Sequence, residues 1–574
     1  MAVGMRLRPS RCRGAAGSAG ARAMHARRSI GRGLLPALVL AGLALTIAAI
    51  VQGRSTPLPA AAVAGDRATL VATLDDAVTA RWAAFGVEPA APATDLAVLR
   101  RAWLALAGTI PSLEEIRRFE ADDAPDRLDR WIGGLLRERR SAEYLARRLA
   151  RVFAGDDQGP FLVFRRDRFT AWLTDAIHAN RPVDRIVTEM VSGRGLWTDT
   201  PAVNFVTQAQ ANDMLDAEKL AGRVSRCLLG QRIDCAQCHD HPFSPVTQRQ
   251  FEGLAAHFGQ ARITLLGLED DPRRVHRVEA MAAAMPGAMT TPAASGMTAR
   301  NVPPRVPFGE AWVPAAGTHR ERLAGWLVHP DNRRFDRAIA NRLWQIVFGR
   351  PWHDPVDDLP DPPSSPDDSD PVDVLAVDLR DHGRDLRRML AALAGTRLFR
   401  LASVHPLLDD DATAPRVAEA WAAFPLSPLD PEDLITAMSQ TTSLHTIDGG
   451  APLVTRTVRF FRTLDFVRDH GRPADGAPAD SVSTVPQSLL RMNGRLTREL
   501  VEANALTAAG RIAGMAADDD AAVEVVYLTM LARRPVPEER SIMRTVLASA
   551  PTRGRGIEDV CWALFNSAEF AWNH

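Results

Sequence analysis

Between Asp95 and Gly259 the apolar residues return every three or four positions, and that rhythm restricts the stretch to packed helices. Leu96, Leu99, Ala102, Trp103 and Leu106 form the first stripe, which Gly108-Thr109-Ile110-Pro111 ends. Ser112 with Glu115 supplies a capping box for the next helix. Further stripes run over 128–136, 144–153, 169–177, 186–191 and 215–229, and Phe251, Leu254, Ala255 and Phe258 predict one more. A second helical block begins near His319 and carries Leu323, Trp326, Leu327, Ile339, Leu343, Trp344 and Val347. The Asp- and Pro-rich residues 354–371 interrupt it as a loop. Helices resume over 372–398, 431–443, 521–531, 538–549 and 557–570, while 454–464 reads as a strand or an extended segment.

The N-terminus belongs to a different regime. Residues 1–33 hold eight arginines and no acid, and an apolar run from Leu34 to Val51 follows, the pattern of an export signal or a membrane anchor. The run is near the minimum of roughly 18 residues for crossing a bilayer, longer than an ordinary signal core, and the small-residue site Ala62-Val63-Ala64 lies far beyond its end. An uncleaved anchor is the favoured reading, with the body in the periplasm; a cleaved signal would release it there. Beyond residue 33 the chain has 61 basic against 69 acidic residues, a balance that argues against a nucleic-acid partner. The expected organisation is mainly α: a basic segment with anchor or signal over 1–64, a helical domain over 65–260, an Ala/Met/Pro-rich linker or insertion over 261–312, and a second helical domain over 313–574.

Five cysteines are too few and too scattered for a disulfide framework. Cys227 and Cys561 sit in apolar patterns and read as buried core. Cys235-Ala236-Gln237-Cys238-His239 is different, because two thiols three apart followed by an imidazole match the spacing of covalent haem c attachment. If the segment were helical, positions 235, 238 and 239 would share one face, with both sulfurs at a porphyrin edge and His239 as axial ligand to the haem iron. Met214, His257 and the methionines beyond position 280 are possible second iron ligands, and Arg226 and Arg232 possible partners of the propionates. Three other readings stay open: a metal site using Cys235, Cys238, His239 and His241, a Cys235–Cys238 disulfide or redox pair, and a polar network of His239, Asp240 and His241.

Elsewhere the chemistry is thinner. Asp354, Asp357, Asp358, Asp361, Asp367, Asp368 and Asp370 fit no calcium loop and read as a solvated stretch. Met281, Met285, Met289 and Met297 read as loosely packed apolar residues rather than a metal-binding strip. No nucleophile elbow, phosphate loop or dinucleotide glycine motif is present.

Leu99-Arg100-Arg101, Gly108-Thr109-Ile110-Pro111, Asn180-Arg181-Pro182 and the run Cys235–Phe243 resemble a planctomycete cytochrome-like domain of unknown function. Pro330-Asp331-Asn332, Ala340-Asn341-Arg342, Phe348-Gly349-Arg350, Pro355-Val356-Asp357-Asp358, Pro362-Pro363-Ser364 and the terminal Leu564–Phe570 resemble its companion domain, also of unknown function. The resemblance implies an exported helical protein named for its CxxCH, and no particular reaction. Asp361 stands where the companion pattern has Asn, and 475–483 lacks the cysteines expected there. The expected function is therefore electron transfer to an unknown redox partner in the cell envelope, through haem c on Cys235, Cys238 and His239. The alternative is a non-redox envelope scaffold in which the motif is a disulfide or metal staple.

Overall fold

A computed structural model describes residues 64–574 except 156–161, 212–213, 281–297, 366, 368, 449–452 and 471–484. The N-terminal basic segment, the apolar run Leu34–Val51 and the methionines at 281, 285, 289 and 297 lie outside the described residues. Among the described residues no helix is long and apolar enough to cross a membrane.

The body is mainly helical, as the periodicity predicts. Among the described residues the strands form four short antiparallel pairs: Gln210–Ala211 with Met214–Leu215, Ala261–Thr264 with Gly267–Asp270, His276–Ala280 with Thr298–Val302, and Ser427–Pro428 with Trp572–Asn573. Local chemistry sets the helix ends. Ser112 accepts from the Glu115 N–H while the Glu115 carboxylate accepts from Ser112 N–H at 2.8 Å, so the capping box read from the sequence is formed. Thr94 caps Asp95–Ala107 at one end, and Gly108, at φ +61°, ends it in a left-handed turn.

Two apolar cores organise the body. The larger draws mainly on residues 70–424, with Leu528 and Ala532, and joins the helices before the 261–312 segment to Trp326, Trp344 and Phe348 after it. The smaller gathers residues 434–571 around Val526, Tyr527 and Phe565. The helix Asp95–Ala107 serves both, since Leu99 and Trp103 enter the first core and Leu104 the second.

Two buried arginines on that helix stitch the cores together. Arg100, 2% exposed, donates to the carbonyls of Met530, Glu569 and Phe570. Arg101, 1% exposed, donates to those of Phe399, Leu401 and the terminal His574. Each guanidinium thereby satisfies helix-end carbonyls that would otherwise be buried without a donor. Burial lowers Arg100 to about 10 and Arg101 to about 9.

Three local expectations differ from the structure. The stretch read as strand lies inside an α-helix, Leu453–His470. Its β-branched residues suggested extension, but Phe466 packs into the second core and the helix rests on Pro431–Gln440. The helix predicted over 372–398 is two, Pro371–Asp381 and Leu386–Gly395, broken where Gly383 and Arg384 adopt positive φ. The 261–312 segment holds two strand pairs, the first fixed by a bridge from Leu268 to Gly195 and by a doubly bonded Arg320–Asp270 ion pair.

Candidate functional site

The helix Ala217–Val224 continues as a π turn, Ser225–Leu229, and ends at Gly230, whose φ of +60° turns the chain out of the helix. Cys227 lies in that turn, buried, its thiol pushed up to about 12 by desolvation, which keeps it protonated and inert. Cys561 is likewise buried and raised to about 12. Both match the core role read from their sequence context.

Beyond Gly230 the chain makes a single 3₁₀ turn, Asp234–Gln237, rather than an α-helix. Ile233 and Ala236 anchor it by pointing inward, at 2% and 0% exposure. Cys235 lies in the turn and Cys238 ends it, its N–H donating to the Cys235 carbonyl at 3.3 Å. Both thiols are exposed and free. His239 follows after the turn has ended at Cys238, and is itself exposed.

The excursion is pinned at its far end by the next helix. The Asp240 carboxylate accepts from Gln248 N–H at 2.8 Å, at the positive N-terminus of Gln248–Ala255, and the Gln237 carbonyl accepts from Gln248 Nε2. His241 N–H donates to Val246 O, and His241 Nδ1 accepts from Phe243 N–H. His239 Nδ1 lies 2.8 Å from the Asp240 carbonyl, so that nitrogen carries the proton and Nε2 is left as a lone-pair donor. Phe243, beside the motif, is 93% exposed.

At its root the excursion is held by residues that sequence reasoning placed in a solvated loop. Arg232 donates to Asp357 at 2.8 Å and Arg232 N–H to Asp358 Oδ1, while Leu359 N–H donates to the Gly230 carbonyl at 2.8 Å. Asp361 pairs with Arg334, and Asp370 accepts from His353. The Asp/Pro loop is thus a brace for the motif, and the arginines considered for propionates are engaged otherwise: Arg232 with Asp357 and Arg226 with Asp234. The signal in the sequence was the pair Asp357-Asp358 within Pro355-Val356-Asp357-Asp358; its partner could be found only in three dimensions.

The chemistry of the donor set fits covalent haem attachment, with two exposed free thiols at one turn and an imidazole whose Nδ1 is fixed to a carbonyl. Of the second ligands considered, Met214 is exposed on a strand pair, whereas His257 is buried at 2% with Nδ1 on the His319 carbonyl and does not face out. Among the described residues no three or more of His, Cys, Asp and Glu converge to hold a metal ion, and Cys235, Cys238, His239 and His241 do not form such a group.

Fold and site together define a helical protein displaying a thiol, thiol and imidazole turn braced from a second sequence segment. Residues 73–263 match the family model PSCyt2, a protein of unknown function (DUF1549), and residues 319–547 match PSD1, a protein of unknown function (DUF1553). The chain carries these two domains of unknown function in tandem. No curated protein and no solved structure matches it.

Proposed function

We propose that this is an exported, membrane-tethered electron carrier that holds a covalent haem at Cys235 and Cys238, with His239 as axial ligand. The observation that carries the reading is that both thiols are free and exposed at one short turn, followed at once by an imidazole whose Nδ1 is already committed to Asp240 O. Haem, when bound, supplies a one-electron couple. The chain's own residues do the rest. The two Sγ atoms would be the attachment points, and His239 Nε2 would be the nitrogen available to iron. The Asp240–Gln248 and Arg232–Asp357 contacts fix the turn from both ends. Tethering through 34–51 would keep the body in the periplasm, where a redox partner in the envelope meets it.

The exposure of the turn also supports a second reading. Two solvent-facing thiols three residues apart are open to an envelope thiol oxidant, which would take two electrons and two protons and leave a disulfide staple on a non-redox scaffold. Intact mass separates the two. Protein matured in a host competent for c-type cytochromes carries a haem adduct that denaturation does not remove; a staple instead gains two hydrogens on reduction and carries no adduct.

A further inference from the structure

The helix Leu453–His470 exposes apolar side chains that nothing in the electron-carrier reading uses. Phe460 and Phe461 are each 59% exposed and Leu464 51%, while Phe466 on the opposite side is buried in the second core. Positions 460, 461 and 464 share one helical face. Two aromatic rings and a leucine side by side in water are an unusual surface for a helix so firmly seated on its other side. The next described helix in sequence, Val485–Asn493, has Leu489 at 51% and Met492 at 40% exposure, and Trp562 Nε1 donates to its Met492 carbonyl.

Charge indicates what the face meets. Leu453–His470 carries Arg456, Arg459, Arg462 and Arg468 against Asp465 and Asp469, whereas the chain beyond residue 33 is net acidic. Arg468, although paired with both aspartates, stays 72% exposed, and Arg495 nearby in sequence 86%. Arg462 reaches Glu499 at 3.8 Å and ties the helix to the segment that follows. Aromatic and leucine side chains on one face, in a helix of net positive charge set on an acidic body, have the composition of a helix that lies in the interface of an anionic bilayer.

We infer that Leu453–His470 is a second, peripheral membrane contact, with Phe460, Phe461 and Leu464 entering the headgroup–acyl boundary and Arg468 meeting lipid phosphates. The test is amide hydrogen exchange of the full chain on phosphatidylcholine vesicles and on vesicles containing phosphatidylglycerol; because residues 1–33, with eight arginines, also favour the anionic vesicles, the share of this helix is read from the difference between the unaltered chain and variants of its exposed face. Exchange over 453–470 should slow on the anionic vesicles alone, by roughly fivefold or more. Phe460→Ser/Phe461→Ser/Leu464→Ser should lose the protection with helix content unchanged, since all three side chains are exposed. Arg468→Glu should weaken it without touching the apolar face. Equal exchange on both vesicle types would overturn the proposal. So would slowing that rises with protein concentration in the absence of vesicles, which assigns the face to a second copy of the chain.

Discussion

The guanidinium of Arg232 lies 2.7 Å from Asp357, an ion pair that reaches from the root of the thiol turn to a loop 125 residues further along the chain. It joins the two matched segments at the candidate site. Because the Arg232 side chain is 45% exposed, Asp357→Asn should cost less than about 1 kcal/mol of global stability. Its expected effect is local: faster hydrogen exchange at the Ala236 and Cys238 amides, which bond to Ile233 and Cys235 carbonyls within the turn. Unchanged exchange there would show the brace to be idle.

Gly230 makes a sharper demand. Its φ is +60°, and a Cβ built there would lie 2.6 Å from Leu359 Cδ1. Gly230→Ala should cost about 2 kcal/mol, part from the left-handed backbone and part from the clash. Adding Leu359→Ala to Gly230→Ala should remove the clash term only, so a double-mutant cycle by chemical denaturation should show favourable coupling. Strict additivity would contradict this contact.

The buried arginines predict a large effect far from the motif. Arg101→Ala strands three carbonyls and should destabilise by about 3 kcal/mol, whereas Arg117→Ala, on a side chain 47% exposed, should cost about 0.5 kcal/mol or less. Urea midpoints of the two variants check the contrast.

His257 predicts an acid limb. Burial is the main cause of its fall from 6.5 to about 4; the His319 carbonyl opposes it, while the nearby His319 and Arg322 charges add to it. A folded value below the unfolded one means that the folded state binds fewer protons, so this contribution is complete above pH 6.5 and is lost as pH falls toward 4. The loss amounts to about 3 kcal/mol. His257→Asn keeps a donor for the His319 carbonyl and removes the titration, and should flatten the stability profile in that window.

The helices were legible where apolar residues recur at helical spacing, as in Arg139–Ala154, and because caps such as Ser112 and Glu115 act within four residues. The motif was legible for the same reason: Cys235, Cys238 and His239 are neighbours in sequence. What stayed hidden is nonlocal. The Gly267 strand pair exists because its backbone packs against Gly195, and Asp357 acquires its role only when the fold brings Arg232 beside it. Leu453–His470 misled because its β-branched residues favour extension until Phe466 finds the core. The burial of Arg100 and Arg101 has no local signal either, since the carbonyls that accept from them lie more than 290 positions away.

The central claim is that Cys235 and Cys238 hold haem, and the reduced pyridine spectrum of the full chain, produced in a host that matures c-type cytochromes and extracted with acidified acetone, tests it most directly. The account predicts a c-type absorption that stays with the protein and disappears in Cys235→Ser/Cys238→Ser. A colourless protein from that host, or colour that leaves with the solvent, would contradict it.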